Sequence, residues 1–279
     1  MPRVLPQVAP NQLLRDAAGV PSLPVLTPAR RPLIRFALAA ALVAALLVVP
    51  GVAQAKVRSS VNGSLLTVTG GRRSDRVAVV CTGGLVKVNG KDPRTGAVAC
   101  SKVSEVDAVT GSGNDRVDFS GVGPDSGFGE RDLPGGFGHG TGAAADLGRG
   151  NDRYGGGASA FNLVLAGADD DRMAGGRFRD SLQGGSGNDT GIGGAGRDIL
   201  VGNSGNDKLN GGADDDLLSG NAGDDLLIGG AGTDLIGGAA GVDRLFGGPG
   251  PDQLIGGPGK DKLNGGPGNN TVVQDSPKK

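Results

Sequence analysis

The chain has 279 residues, of which 56 are Gly and 3% aromatic, with no Trp, one His and two Cys; so little aromatic surface cannot fill the core of an ordinary globule of this length. The formal net charge of −1 conceals segregation, because residues 1–55 carry five Lys/Arg against one Asp, whereas residues 166–273 carry eight Lys/Arg against sixteen Asp and no Glu. A block acidic through Asp alone disfavours nucleic acid as a partner and favours cations.

From the N-terminus, "RRPLIRFALAAALVAALLVVPGVAQAKV" sets Arg30, Arg31 and Arg35 before an apolar run over 36–49. Pro50, Gly51 and an A-x-A site at Ala53, Gln54 and Ala55 follow. This is the layout of a secretory signal peptide, so residues 1–55 are read as leader and signal, with cleavage before Lys56 and a secreted, extracellular product. The apolar run falls short of the roughly 20 residues that span a bilayer. The Arg pair is only weakly like a twin-arginine signal, since Pro32 follows it.

Residues 56–165 read as a β-rich region of degenerate repeats, with a separate small β-domain as the alternative. "LLTV", "RVAVV" and "LVKV" predict short strands. "LTVTGGRRSDRVAV", "GSGNDRVDF" and "GRGNDRY" each set a glycine-containing turn, an Asp and apolar residues in the same order, which makes Asp75, Asp115 and Asp152 candidate oxygen ligands. The glycine-rich stretch 121–145 predicts a loop or insertion. Cys81 and Cys100, an even pair in an exported chain, point to a disulfide, with two unpaired core residues as the alternative. His139, alone in "GFGHGTG", reads as a surface residue.

From residue 166 the chain falls into twelve rows of nine without insertion, among them GGSGNDTGI, GGAGRDILV, GNSGNDKLN and GGPGKDKLN. The sixth position is Asp171, Asp180, Asp189, Asp198, Asp207, Asp216, Asp225, Asp234, Asp243, Asp252 and Asp261, then Asn270. The eighth is apolar in every row but one, where Gly191 stands. Glycines at positions one to four reach the positive-φ conformations of tight turns. Positions seven to nine predict a short strand whose middle side chain points inward. Such rows are too short to stand alone and must coil and stack, two per coil, so that aspartates 18 apart become neighbours about 4.8 Å apart.

Stacked carboxylates at about 5 Å repel by roughly 3 kcal/mol at an effective dielectric near 20. A cation between coils converts that repulsion into cohesion. Carboxylate and carbonyl oxygens, without Cys or His, form the hard donor set that suits calcium, and magnesium's stricter octahedron ranks below it.

The rows resemble the G-G-x-G-x-D-x-U-x nonapeptide of the RTX, or haemolysin-type, calcium-binding proteins. The resemblance implies an all-β fold, a right-handed parallel β-roll over 166–273, with calcium held between same-edge turns by sixth-position aspartates and turn carbonyls. Asp115 and Asp152 extend the ligand set. Asp169, Phe178 and Asp214 replace the fourth-position Gly, so the first two rows are expected to be weak sites. Gly191 is expected to underfill the core, and Asp215 and Asp224 to be solvated. Residues 274–279 read as a disordered tail. The chain departs from the family in carrying an N-terminal signal.

With one histidine, no H-E-x-x-H and no G-x-S-x-G, the chain reads as a non-enzymatic calcium-binding protein. The alternatives are a surface or matrix adhesion protein with a protein or cell-surface partner, using the roll as scaffold, and a secreted hydrolase.

Overall fold

The computed structural model describes residues 57–123, 127, 131–133, 138–157 and 160–274; the expected leader and signal segment and residues 275–279 of the tail lie outside them. The described chain is almost entirely strand and turn, wound as a parallel β-solenoid with two sheets. One sheet runs β1 (Arg58–Asn62), β2 (Leu65–Thr69), β5 (Glu105–Val109), β8 (Gly138–Arg149), β10 (Ala160–Ala168), β12 (Ser181–Ser186), β14 (Ile199–Ser204), β16 (Leu217–Ala222), β18 (Leu235–Ala240), β20 (Gln253–Ile255) and β22 (Thr271–Val273), with β7 (Arg131–Leu133) antiparallel to β8. The other runs β4 (Leu85–Val88), β3 (Arg76–Thr82), β6 (Arg116–Asp118), β9 (Arg153–Gly155), β11 (Arg172–Ala174), β13 (Thr190–Ala195), β15 (Lys208–Ala213), β17 (Leu226–Ala231), β19 (Arg244–Phe246) and β21 (Lys262–Asn264).

The repeat period fixes the register. Ile199 pairs with Ser181 and Leu217, and Lys208 with Thr190 and Leu226, one coil being two nine-residue rows. Eighth-position side chains fill the interior: Leu182, Leu200, Leu218, Leu227, Ile236, Leu245 and Leu254 are buried. At the last described coil Leu263 is half-buried and Val272 is 47% exposed. Gly191 leaves no methyl-sized gap: Leu209 Cδ2 lies 3.1 Å from where its Cβ would stand, so neighbouring side chains have closed over it.

The strands are longer than the three residues that side-chain pattern predicts. In β12 to β18 they run from position seven through the first three positions of the next row. Glycine offers no side-chain signal there, yet its backbone pairs with the coil above and below, as Gly185 does with Gly167 and Asn203.

The same two sheets continue through residues 58–165, and all three expected strands form there, as β2, β3 and β4. Coils are longer in this part: aligned aspartates stand 40, 37 and 19 residues apart before settling to 18. The first long coil carries the antiparallel β3–β4 hairpin and a disulfide between Cys81 and Cys100, Cα atoms 5.9 Å apart. A cross-link closing a loop of this size contributes about 3 kcal/mol. The second holds the glycine-rich stretch, but the expectation of a loop to residue 145 fails, because β8 begins at Gly138 and pairs with β5 and β10. Its small residues Ala143 and Ala145 supply buried positions of the interior. Phe119 and Tyr154, ring centroids 5.8 Å apart and edge to face, fill the interior of these coils.

Turn stacking makes one prediction sharp. Gly205 has φ +122°, and a Cβ there would collide with the Gly187 carbonyl oxygen, whereas Gly237 faces open space with no positive φ. Gly205→Ala should destabilise by more than about 1 kcal/mol, and Gly237→Ala should be neutral or stabilising by up to about 1 kcal/mol, in denaturant titrations.

Candidate metal centre

Each turn ends at a sixth-position Asp, where the chain leaves the edge and re-enters a sheet. The carboxylate folds back beneath its own turn rather than out to solvent: Asp180, Asp234 and Asp243 are 0% exposed, and Asp171, Asp189, Asp198, Asp207, Asp225 and Asp252 are 1% exposed. One oxygen of each is spoken for. Asp189 N–H donates to Asp207 Oδ1 (2.7 Å), Asp207 N–H to Asp225 Oδ1 (2.8 Å) and Asp225 N–H to Asp243 Oδ1 (2.9 Å). The same bond repeats along the opposite edge from Asp180 through Asp198, Asp216 and Asp234 to Asp252.

The first edge extends backwards without a break. Asp75 N–H donates to Asp115 Oδ1, Asp115 N–H to Asp152 Oδ1 and Asp152 N–H to Asp171 Oδ1, at 2.6 to 2.7 Å. Asp115 and Asp152 therefore occupy the same structural position as the regular aspartates despite the longer coils. The second edge is bounded by asparagines. Asn162 N–H donates to Asp180 Oδ1, and Asp252 N–H to Asn270 Oδ1. Asn162 also gathers Tyr154 Oη–H and Gly157 N–H on its Oδ1. No sequence rule pointed to it, since its row lacks the glycine turn; its place 18 residues before Asp180 was the available signal.

The second oxygen carries the chemistry. Oδ2 of Asp115, Asp152, Asp171, Asp189, Asp198, Asp207, Asp216, Asp225, Asp234, Asp243 and Asp252 is buried with no hydrogen-bond partner. A buried carboxylate oxygen without a donor or counter-charge is costly. Beside the eight from Asp189 to Asp252 lies the first-position glycine of the same turn, whereas Thr110, Leu147 and Ala166 stand there for Asp115, Asp152 and Asp171; a Cβ at Gly193 would collide with Asp198 Oδ2 and come within 2.6 Å of the Gly211 carbonyl oxygen from the next coil. Gly211, Gly229 and Gly247 repeat this arrangement with Asp216, Asp234 and Asp252. The glycine thus keeps open a cradle walled by a carboxylate oxygen and a main-chain carbonyl.

Among the described residues, no three His, Cys, Asp or Glu side chains converge on one point. An ion here would draw on one or two carboxylates and complete its shell with carbonyls. That donor set fits calcium, which takes roughly six to eight oxygens, carbonyls included. It fits a soft metal poorly.

Three turns differ. Asp180 Oδ2 accepts Gly176 N–H (2.6 Å), Asp75 Oδ2 accepts Gly71 N–H (2.7 Å), and Asp261 Oδ2 accepts Gln274 Nε2–H (2.7 Å). The turn before Asp180 holds Phe178, and neither it nor Gly176 takes positive φ, so the bulky residue is accommodated by a different turn that closes on its own carboxylate. Asp169 and Asp214 do adopt positive φ, at 80° and 74°, and so keep the glycine-type turn. Gln274 is thereby tied to the roll.

A second ladder, missed in the sequence, runs outside the first. Fifth-position side chains accept main-chain N–H groups from the next coil: Asn188 N–H to Asp170 Oδ1, Asn206 N–H to Asn188 Oδ1, Asp224 N–H to Asn206 Oδ1 and Val242 N–H to Asp224 Oδ1. Thr233 N–H donates to Asp215 Oδ1 likewise. Asp215 and Asp224 are structural acceptors rather than merely solvated charges. The recurrence of Asn and Asp at position five was the signal.

Burial pushes the inner carboxyls up: Asp189, Asp225 and Asp234 to about 6, Asp152, Asp171, Asp180, Asp207 and Asp216 to about 7, and Asp198 to about 8, with stacked neighbours adding repulsion in most. Such acids hold protons in the folded chain that the unfolded chain, titrating near pH 4, has released. Without metal the contribution of these carboxyls to stability is fully present below about pH 4 and is lost as pH rises through 6 to 8. Calcium must displace those protons, so its affinity rises over the same interval. Metal-free protein should therefore melt higher at pH 5 than at pH 7.5, with the order reversed in millimolar calcium; thermal melts at the two pH values check both.

Comparison with known families agrees with this geometry. Residues 165–200, 201–236 and 237–272 each match the family model of the RTX calcium-binding nonapeptide repeat (4 copies). No curated protein and no solved structure matches the chain.

Proposed function

We propose that this chain, whose residues 165–272 are RTX calcium-binding nonapeptide repeats wound as a β-roll, is an exported, non-catalytic protein that calcium folds and stiffens outside the cell. The observation carrying this reading is the row of buried, unpartnered Asp Oδ2 atoms, those from Asp189 to Asp252 each against the first-position glycine of its turn. At neutral pH the stacked charges oppose folding. Calcium held by residues such as Asp189, Asp207 and Asp225 on one edge and Asp198, Asp216 and Asp234 on the other supplies positive charge between coils. The roll then stays unfolded where calcium is scarce and closes where it is abundant.

Export rests on the segment 30–55, with its basic start, apolar run and A-x-A site. Among the described residues no helix is long and apolar enough to cross a membrane. The non-catalytic reading rests on the single histidine and the lack of nucleophile or zinc motifs. The Cys81–Cys100 disulfide accords with an oxidising compartment.

Asp207→Asn with Asp225→Asn tests the reading, since the amide keeps an oxygen for the ladder N–H but removes the charge. Equilibrium dialysis should show fewer bound calcium ions, and thermal melts a lower melting temperature in calcium but a higher one in metal-free protein at neutral pH, where two buried repelling charges are gone. Asp261→Asn, at a carboxylate already engaged by Gln274, should lose less. Unchanged stoichiometry in the double variant would count against these aspartates as ligands.

A further inference from the structure

The two sheets turn very different faces outward. On the second sheet, position seven and its equivalents hold Arg76, Arg116, Arg153 and Arg172 on four adjacent strands, paired in direct register. Lys208, Arg244 and Lys262 continue the same row, with Thr190 and Leu226 between. All seven cations are exposed. On the first sheet, the corresponding row from Thr67 to Thr271 holds no Lys or Arg.

Like charges directly opposite one another on neighbouring strands destabilise a sheet. Among the described residues no ion pair engages these cations. Asp118 is its one carboxylate within the strands, and its Oδ1 is taken by the Ser120 N–H and hydroxyl. The only ion pair among the described residues, Lys87 with Asp92, lies apart from the row. The four arginines stand in single file in the backbone register, one strand spacing of about 4.8 Å apart, so the face carries a line of forked donors.

We propose that this row binds a linear acidic polysaccharide, laid along the solenoid axis with its carboxylates or sulfates against successive arginines. A glycan with one acidic group on each sugar advances by about one strand spacing per sugar, which matches the row. Guanidinium engages carboxylate and sulfate through paired hydrogen bonds. Single-stranded nucleic acid wants aromatic platforms, and the face offers only Phe246, already beneath Arg244 at 6.0 Å. A duplex, being far wider than one file of side chains, would overlie the aspartate edges. The row lies on a flat face and the cation cradles at the edges, so the two readings stand or fall separately.

The probe is chondroitin sulfate, with neutral dextran as blank, titrated into the calcium-loaded chain while bound calcium is measured in parallel. The expected result is saturable binding that weakens as salt is raised. Arg116→Gln with Arg153→Gln should reduce affinity by about tenfold or more, since two paired contacts are lost. Arg116→Lys with Arg153→Lys should retain an intermediate affinity, and Arg58→Gln, on the other sheet, should leave it unchanged. Circular dichroism and calcium stoichiometry should be the same in all variants. Failure to bind chondroitin sulfate, equal binding by the double Gln variant, or equally tight binding of DNA or of phosphatidylglycerol vesicles would overturn the proposal.

Discussion

In the metal-free chain, every coil of the roll brings a carboxylate to within one strand spacing of the carboxylate in the next, and the backbone leaves it nowhere else to go. Asp Oδ1 is held by the N–H of the Asp one coil earlier, as in the Asp207 to Asp225 bond at 2.8 Å. That bond fixes the side chain beneath its turn and aims Oδ2 into the glycine cradle, away from water. The fold therefore builds its own electrostatic problem wherever it is regular. Protons solve it at low pH; in the proposed function calcium solves it at neutral pH, in competition with protons for the same oxygens.

The interior depends on that arrangement because it is thin. One apolar side chain per nine residues, such as Leu200, Leu209 and Leu218, lies between the sheets. Hydrophobic burial at this density cannot order a chain so rich in glycine, for which backbone ordering is most costly. Backbone pairing and the two side-chain ladders supply part of the remainder, and in the proposed function calcium between turns supplies the rest. The longer coils at the N-terminal side are reinforced differently, by Phe119, Tyr154 and the Cys81–Cys100 bond.

The parts legible in the sequence are those that use side chains at a fixed phase. The nine-residue period gave the 18-residue register, and the alternation around Leu200 and Leu209 gave the inward face. Asp115 and Asp152 were found because turn, Asp and apolar residue kept their order while the coil length changed. The hidden parts were backbone features or long-range alignments. Strand extension through Gly184 and Gly185 has no side-chain pattern, and β8 is a run of Gly and Ala that composition alone reads as loop. The arginine row needed the pairing of Arg76, Arg116 and Arg153, whose separations of 40 and 37 residues are not multiples of nine. The closing of the Asp180 turn on Gly176 N–H depends on the φ that Phe178 takes, which sequence does not specify.

The central claim is that the unpartnered Asp Oδ2 atoms are calcium ligands whose occupation folds the roll. Calorimetry of the unmodified chain at neutral pH, scanned over increasing calcium with circular dichroism alongside, tests it most directly. The account predicts a melting temperature and β-sheet signal that climb through millimolar calcium, with equal magnesium far less effective. Identical melts and spectra at every calcium concentration, with no calcium bound, would contradict it.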